Sequence, residues 1–307
     1  MLSVEKLTKY YGDMKALDEI SFTVDKEKIV GLLGPNGAGK TTTIRILIGI
    51  LPRTSGKIYL EGKELNPSSE EWKSTFGVVP EISNAYLDYN PLKNLLFSGG
   101  LYGLSKKRRK SRALKLLKEF GLLKRKDIKT KKISKGEKQR LNLCMALMHD
   151  PKFLFLDEPT TGLDVHSAQQ LREKILNFKQ GGKTILLTTH NLIEANLLCD
   201  EIIILNEGKI ITIGSPDALR KKFAPASKIE IKLDKPLKDS ESKKLNKLGM
   251  NYEISDSNKQ LNLLTTEPVD DFLQIIELIS DIKTHISNFK VTPASLEEIF
   301  LKIIGER

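Results

Sequence analysis

A glycine-rich loop between two apolar runs constrains the fold of this chain more than any other feature. Mainly apolar residues occupy positions 29–33 before the loop and 44–50 after it. The loop reads G-x-x-x-x-G-K-T and consists of Gly34, Pro35, Asn36, Gly37, Ala38, Gly39, Lys40 and Thr41. This order predicts a strand, a phosphate-binding turn and a helix. Glycines let backbone N–H groups turn inward around an anion, which also faces the positive end of the helix.

Two side chains at the end of the loop indicate its chemistry. Lys40 is placed to reach the β- and γ-phosphates of a nucleotide, and the Thr41 hydroxyl is placed to ligate Mg²⁺. A chance glycine-rich turn is the alternative, but every fixed position of the pattern is present and both flanks are correct. The sequence therefore predicts binding of a nucleoside triphosphate.

A second apolar strand, predicted over 153–156, ends in two adjacent carboxylates. Asp157 can hold Mg²⁺ through its water shell, and Glu158, which projects differently, can polarise an attacking water molecule. A strand end that simply reaches solvent is the alternative, although an unpaired buried charge is costly. Together with the glycine-rich loop, the pair predicts hydrolysis of the nucleotide rather than binding alone.

Two further sites admit more than one interpretation from their residues alone. His190 ends the next apolar strand and could contact a γ-phosphate, although a lone histidine is more often structural. Ser134 and Gly136 precede a helix predicted over 141–148. There they form either an ordinary N-terminal cap or a second anion site.

The net charge of +11 is concentrated in one stretch of the chain. Residues 105–132 contain 14 Lys or Arg against only Glu119 and Asp127. Three interpretations stay open: a solvated helical face, contact with an anionic membrane surface, or contact with nucleic acid. No aromatic residues alternate with these charges, and this weakens the third interpretation because bases stack on aromatic rings.

Hydrophobic patterning predicts an α/β protein with two parts. Residues 1–27 alternate as exposed-face strands do, 91–150 follow a helical pattern, and apolar strands then alternate with helices, which is typical of a parallel sheet covered on both faces. The pattern changes near 223–225, beyond which strands and helices, including a helix over 240–248, predict a small α+β unit. We therefore expect domains at 1–223 and 224–307.

The two cysteines suit a reducing cytosol, and the sequence offers no apolar window for a membrane span and no signal-peptide core.

The order and spacing of these motifs resemble the nucleotide-binding subunit of an ABC transporter over residues 1–222. Residues 34–41 resemble the Walker A motif, 153–158 the Walker B motif with its catalytic glutamate, and 161–164 the D-loop region with Asp164. His190 resembles the switch histidine, and Tyr11 the aromatic residue that stacks on adenine. The family signature corresponds to Ser134, Lys135, Gly136 and Glu137.

This chain departs from the family pattern at two places. The signature is usually L-S-G-G-Q, but Lys135 and Glu137 replace its first glycine and its glutamine. Glu81 stands where a glutamine is expected, and it adds negative charge beside the triphosphate while remaining a hard oxygen ligand for Mg²⁺. Glutamate there, and the segment 293–301, resemble the branch of exporters likened to drug- and sodium-efflux ATPases.

The resemblance implies a P-loop ABC ATPase domain with a mostly parallel sheet, an antiparallel β subdomain and a helical subdomain at about 82–150. It implies ATP and Mg²⁺ as cofactors, with ATP held between two copies, or between this chain and a similar subunit. It implies catalysis by Glu158, His190 and Lys40, ATP contacts that extend to Thr42, and Mg²⁺ ligands at Thr41, Glu81 and Asp157.

The same resemblance implies a subunit that powers export through a separate integral membrane permease. It would then be cytoplasmic and peripheral on the inner face of the cell membrane. Two alternatives stay open: an ABC-type ATPase acting on nucleic acid or ribosomes, and a regulatory nucleotide-binding module without turnover. A single nucleotide-binding domain without a coiled-coil insertion makes nucleic acid an unlikely partner, and the intact Asp157-Glu158 pair argues against the regulatory module.

Overall fold

The computed structural model describes residues 1–66, 69–223, 227–236, 245, 252–255, 259–265, 267–278, 286–292 and 295–305. The chain divides into two compact units, Met1–Pro216 and Asp217–Arg307. This division falls seven residues before the boundary expected from the sequence, at the start of a helix rather than at its end.

The first unit contains ten strands and seven complete α-helices among the described residues, and an eighth α-helix begins at its boundary. In chain order they are β1 (Leu2–Tyr11), β2 (Met14–Val24), β3 (Ile29–Leu33), α1 (Lys40–Leu47), β4 (Ser55–Leu60), β5 (Lys63–Glu64), α2 (Glu70–Thr75), β6 (Phe76–Val79), α3 (Pro91–Leu101), α4 (Lys106–Glu119), α5 (Lys135–Ala146), β7 (Phe153–Asp157), α6 (Val165–Gln180), β8 (Thr184–Thr189), α7 (Leu192–Leu198), β9 (Glu201–Asn206), β10 (Lys209–Gly214) and α8 (Pro216–Phe223).

Two sheets organise this unit. An antiparallel sheet has the order β2-β1-β4-β5, and a six-stranded sheet has the order β10-β9-β3-β8-β7-β6. In the larger sheet only β10 is antiparallel to its neighbour. Every residue of β3, β7 and β8 is buried, as expected for parallel strands covered on both faces. The predicted fold class is confirmed.

An aromatic cluster fills the core between α2 and the larger sheet. The Trp72 ring centroid lies 5.1 Å from that of Phe76, which in turn lies 5.3 Å from that of Phe155. The Trp72 indole N–H donates a hydrogen bond to the Leu47 carbonyl at the end of α1. The cluster therefore anchors the helix that follows the glycine-rich loop.

The start of α5 differs from the sequence-based expectation. The Glu137 backbone N–H donates to Ser134 Oγ at 3.1 Å, and the Ser134 N–H donates to the Glu137 carboxylate at 2.9 Å. This reciprocal cap starts the helix six residues before the predicted 141, because the polar residues 135–140 form its first turns. Ser134 thus caps the N-terminus of α5.

The second unit has its own antiparallel sheet, in the order β12-β13-β11-β14. Its elements are β11 (Ser227–Leu233), β12 (Tyr252–Ser255), β13 (Gln260–Thr265), α9 (Pro268–Leu278), β14 (Ile286–Thr292) and α10 (Leu296–Gly305). Ile229, Ile231, Leu261, Leu263 and Ile275 are among its core residues. The helix predicted over 240–248 lies outside the described residues, except for Leu245.

None of the described helices combines the length and the apolar character that crossing a bilayer requires.

His149 is held close to the aromatic core in its neutral form. Its Nε2 lies 3.0 Å from the Phe76 carbonyl oxygen, and its ring stacks on Tyr102 at 3.6 Å. Within the described structure, the buried Nδ1 has no hydrogen-bond partner. Burial lowers the pKa of His149 from 6.5 to about 4, against a smaller opposing effect of the Phe76 carbonyl.

We predict that the first unit loses stability as pH falls from about 6.5 to 4. In this window the unfolded chain binds a proton at His149 and the native state does not, so the free energy of unfolding decreases as pH falls. Because the ring is only partly buried, we expect a loss of about 2 kcal/mol. His149→Phe should remove this part of the pH dependence. Urea unfolding followed by the fluorescence of Trp72, the single tryptophan of the chain, measures it. Equal pH dependence in both proteins would contradict the assignment.

Candidate functional site

A cavity of about 270 Å³ lies where the carboxyl ends of the parallel strands meet the glycine-rich loop. Its lining residues are Asn36, Gly37, Gly39, Lys40, Thr41, Thr42, Glu81, Glu158 and His190. The structure thus brings together in one place the loop, the glutamate after β6, the glutamate after β7 and the histidine after β8. Ligands bind at this edge of α/β sheets.

The loop needs glycine at two positions for different reasons. Gly39 precedes α1 with a φ of 107°, and a Cβ there would lie 2.6 Å from Leu17 Cδ2. At Gly34 a Cβ would lie 2.1 Å from the Leu205 carbonyl oxygen. The loop is therefore packed closely against β2 and β9.

Lys40 is held at the mouth of the loop. Its ammonium donates to the carbonyl oxygens of Gly34 at 2.7 Å and Pro35 at 3.1 Å. Burial lowers the pKa of Lys40, while the carboxylates of Glu158 and Asp157 act in the opposite direction. Binding of a further anion beside the Lys40 ammonium is favoured, because it would offset the cost of burying the positive charge.

Thr188 fixes both carboxylate residues at the end of β7. Its hydroxyl donates to Asp157 Oδ1 at 2.5 Å and accepts from the Glu158 backbone N–H at 3.0 Å. Glu158 has a φ of +48°, a left-handed conformation that is strained for a residue other than glycine. The two hydrogen bonds of the hydroxyl therefore hold a turn that aims consecutive carboxylates in different directions.

The Glu158 carboxylate is oriented by two neighbours. His190 Nδ1 lies 2.9 Å from Glu158 Oε2, and the Thr161 hydroxyl donates to the same oxygen at 3.0 Å. Glu158 also lines the cavity. This arrangement suits a group that orients a nucleophilic water and accepts its proton.

The donor set of the cavity fits a divalent cation. Burial raises the pKa of Asp157, the Thr188 hydrogen bond opposes this, and the nearby charges of Glu81 and Glu158 add to it. Three carboxylates thus stand against the single ammonium of Lys40. No three His, Cys, Asp or Glu side chains within the described ranges are grouped to hold a metal by themselves. A cation here would also need oxygens such as the Thr41 hydroxyl and the phosphates.

The signature residues lie outside this cavity. Ser134, Lys135, Gly136 and Glu137 form the start of α5. A Cβ at Gly136 would lie 2.8 Å from Ser167 Oγ, and one at Gly162 would collide with the Lys135 ammonium. Asp164 caps α6 by accepting the Ser167 N–H at 2.9 Å. The signature and the D-loop region are therefore adjacent to each other but not to the phosphate loop's pocket.

Tyr11 is also absent from the cavity lining. It ends β1 with 41% of its surface exposed, and the Lys9 ammonium lies 5.2 Å from its ring centroid. Tyr10 is equally exposed, with the Lys15 ammonium 5.7 Å from its ring centroid. Both rings are exposed enough to stack on a base. Neither ring lines the cavity beside the phosphate loop.

A partly buried hydrogen-bond chain was not foreseen from the sequence. Ser83 Oγ donates to Asn142 Oδ1 at 2.9 Å, and Asn142 Nδ2 donates to Gln139 Oε1 at 3.2 Å. Gln139 Nε2 in turn donates to the Pro159 carbonyl at 2.9 Å. The chain connects the loop after β6, through α5, to the turn after β7. An asparagine within the apolar run 141–148 was the available signal.

A buried carboxylate, that of Glu194, stabilises the loop that carries His190. Glu194 is fully buried, and its Oε2 accepts the Thr189 hydroxyl at 2.8 Å. Thr189 Oγ1 accepts the Asn191 N–H at 3.0 Å, so the turn closes on itself. Burial raises the pKa of Glu194. Thr188 and Thr189, two polar residues in an apolar strand, were the sequence signal for these roles.

A phosphate-binding loop beside a strand that ends in Asp-Glu, with Glu158 lining the loop's cavity, defines a P-loop nucleoside triphosphatase. Comparison with known proteins narrows this class, since a model of the ABC transporter family matches residues 17–161. Nod factor export ATP-binding protein I of Paraburkholderia xenovorans (strain LB400) is 35% identical over 306 residues, 99% of this chain and 97% of the relative.

Two further matches agree with the family model. Linearmycin resistance ATP-binding protein LnrL of Bacillus subtilis (strain 168) is 36% identical over 231 residues, 75% of this chain and 74% of the relative. A solved structure of an ATP-binding subunit of an ABC transporter is 34% identical, with a TM-score of 0.66, and the match covers 73% of this chain and 93% of that one.

The chain belongs to the family of ABC transporter ATP-binding subunits. It is an ATPase of the exporter type, as the resemblance predicted. The alternative of an ATPase acting on nucleic acid or ribosomes is not favoured, because the matched relatives are export and resistance subunits by name.

We predict that Thr188→Val lowers kcat for ATP hydrolysis by about 10–100-fold, because loss of the hydroxyl frees the turn that aims Asp157 and Glu158. The buried Asp157 oxygen would also lose its hydrogen-bond donor, at a cost of about 1–3 kcal/mol in unfolding free energy, whereas the Glu158 N–H would keep the Thr188 carbonyl at 3.1 Å. Thr188→Ser keeps the hydroxyl and serves as the control. Steady-state phosphate release and urea unfolding measure both effects. Unchanged kcat in the valine variant would remove the positioning role of Thr188.

Proposed function

We propose that this chain works in pairs, with each ATP bound between the phosphate loop of one copy and the start of α5 of the other. The observation that carries the proposal is the separation of the two anion-binding elements within one copy. The cavity contains Lys40, Thr41 and Glu158, whereas Ser134 and Gly136 lie outside it. A two-fold arrangement supplies the missing half to both sites in one isologous interface.

In the proposed site each residue has one task. Lys40 contacts the β- and γ-phosphates, and the backbone N–H groups of residues 34–42 surround them. Thr41, Asp157 and Glu81 hold Mg²⁺, which offsets phosphate charge when bound. Tyr11 stacks on adenine. Ser134, Lys135, Gly136 and Glu137 of the other copy cover the γ-phosphate side, and Asp164 lies in the same interface.

Hydrolysis is assigned to the group formed by Glu158 and its neighbours. Glu158 orients a water molecule towards the γ-phosphorus and accepts its proton, while His190 holds the γ-phosphate side. Phosphate release then removes the ligand that holds the two copies together, and the pair opens. This opening is the step that we expect to drive transport.

An exposed apolar patch supports a separate membrane permease as the partner. The loop after β6 exposes 82% of Ile82, 51% of Tyr86 and 50% of Leu87. Tyr86 packs against Tyr89 and Phe97, with ring centroids about 5 Å apart, so the patch has a fixed shape. Exposed apolar patches of this kind mark sites of protein association. This patch follows Glu81 directly in the chain, so a permease bound there would bear on the ATP site.

We assign ATP binding and hydrolysis to residues 1–223, with a helical subdomain at 82–150, and an accessory role to 224–307. Bound to a permease, the subunit would be peripheral on the cytoplasmic face of the cell membrane. Relatives of this chain carry the names of Nod factor export and linearmycin resistance. The molecule exported in this case is selected by the permease.

We predict that Glu158→Gln lowers steady-state hydrolysis by about 10³-fold, because glutamine cannot accept the proton of water. ATP binding should remain, and the variant should accumulate as an ATP-dependent dimer in size-exclusion chromatography. Adding Ser134→Arg to this variant should leave ATP binding but abolish the dimer, since the arginine would block the shared site. Glu119→Gln, at an exposed position on α4, is the control. Normal turnover of Glu158→Gln would refute the assignment.

We predict that Ile82→Ser/Leu87→Ser separates permease binding from hydrolysis. The isolated variant should keep its ATPase rate within about twofold, because exposed positions contribute little to stability. Its co-purification with a polytopic membrane protein from detergent-solubilised cells should be lost. Leu264→Ser/Val269→Ser, two exposed apolar residues of the second unit, is the matched control. Equal recovery of the membrane protein with both variants would contradict the proposed docking site.

A further inference from the structure

Helix α4 has one face directed into the protein and an opposite face made of basic and hydroxyl side chains. Ala113, Leu116 and Leu117 are buried. On the opposite side, successive turns present Lys107, Arg108, Ser111 and Lys115, all exposed. We call these four residues the basic face.

Several other basic residues of the positive stretch have partners within the protein. Arg109 donates to the Leu96 carbonyl at 3.3 Å, and Arg112 donates to the Leu147 carbonyl at 2.8 Å and pairs with Asp150 at 3.0 Å. Acidic side chains form ion pairs with Arg125, Lys126, Lys129 and Lys131. In the part of the chain that the structure describes, no acidic side chain pairs with Lys107, Arg108 or Lys115.

A shallow cavity of about 460 Å³ opens on this face. It is lined by Ser105, Lys107, Arg108, Ser111, Arg112 and Lys115. All six side chains can donate hydrogen bonds to an anion, four of them carry a positive charge, and the lining contains no carboxylate. This is the chemistry that recognises phosphate groups.

We propose that the basic face binds the anionic headgroups of a phospholipid bilayer, so that this chain contacts the membrane directly. From Lys107 to Lys115 the charges extend over about 12 Å of helix, further than one small phosphate compound can bridge. A surface with many phosphates matches this spread. The cavity lining contains no aromatic side chain on which bases could stack, which argues against single-stranded nucleic acid.

The inference goes beyond the proposed permease complex and does not depend on it. Basic residues near an anionic leaflet strengthen binding by about fivefold each, and the effect fades within a Debye length. The basic face would therefore hold the subunit at the bilayer and limit the directions in which it meets a permease.

The test uses the full chain and vesicles that contain no permease. Vesicles of phosphatidylcholine with about one third phosphatidylglycerol, and vesicles of phosphatidylcholine alone, are sedimented with the protein at low and high salt. We expect binding to the anionic vesicles only, weakened by salt. Lys107→Gln/Arg108→Gln/Lys115→Gln should bind about 100-fold more weakly, at fivefold per charge, with an unchanged ATPase rate in solution.

Two controls separate the basic face from net charge and from misfolding. Lys63→Gln/Lys73→Gln/Lys152→Gln changes the net charge equally at exposed positions elsewhere in the first unit and should bind as the wild type does. Lys107→Arg/Lys115→Arg keeps the charges and should also bind normally.

Three results would overturn the inference. One is equal binding by the two glutamine variants. Another is competition by millimolar inorganic phosphate at constant ionic strength, which indicates a site for a small ion. In the third, the Lys107→Gln/Arg108→Gln/Lys115→Gln variant loses binding to a DNA oligonucleotide but binds vesicles as the wild type does. That result would assign the basic face to nucleic acid.

Discussion

The parallel pairing of β7 with β8 is the constraint on which the site depends. In its register Asp157 lies opposite Thr188, so the first carboxylate meets a hydroxyl at the last step of the ladder. That hydroxyl also holds the Glu158 N–H, and Glu158 reaches His190 one strand away. A shift of one residue would turn every side chain of β7 to the opposite face and separate these groups. The apolar residues that bury both strands therefore also set the geometry of the catalytic group.

The same edge of the sheet accumulates more negative charge than the protein neutralises. Glu81, Asp157 and Glu158 lie near the ammonium of Lys40, and the charge of Arg45 also acts on Asp157. Burial, together with the charges of Glu81 and Glu158, raises the pKa of Asp157, and a bound cation would act in the opposite direction. Glu81, in place of the glutamine usual in the family, increases this imbalance. The charge at this edge therefore suits a bound cation beside the phosphates of a nucleotide.

The loop, the two carboxylates and the histidine could be predicted because each depends on short-range sequence. A strand followed by G-x-x-x-x-G-K-T, or by Asp-Glu, carries its geometry within a few residues. Thr188 and Asn142 escaped prediction because their roles depend on partners 31 and 59 residues away. Glu194 lies only 5 residues from Thr189, but its neighbours in the sequence do not reveal that its carboxylate is buried. Pairing over the longer distances appears only when the sheet register is known. The start of α5 was placed too late because apolar periodicity begins at 141, whereas the helix is started by a polar cap.

The hydrogen-bond chain from Ser83 to Pro159 has only one possible direction. The Ser83 hydroxyl occupies Asn142 Oδ1, so the asparagine amide must donate to Gln139, whose own amide must donate onward. Proline has no N–H, and its carbonyl can only close the series. Because Asn142 is buried, a break at any link strands a polar atom away from water, which is costly. The loop after β6 and the turn after β7 are therefore both hydrogen-bonded to α5. A displacement of Ser83 would act on Pro159, the residue next to Glu158, through side chains of that one helix.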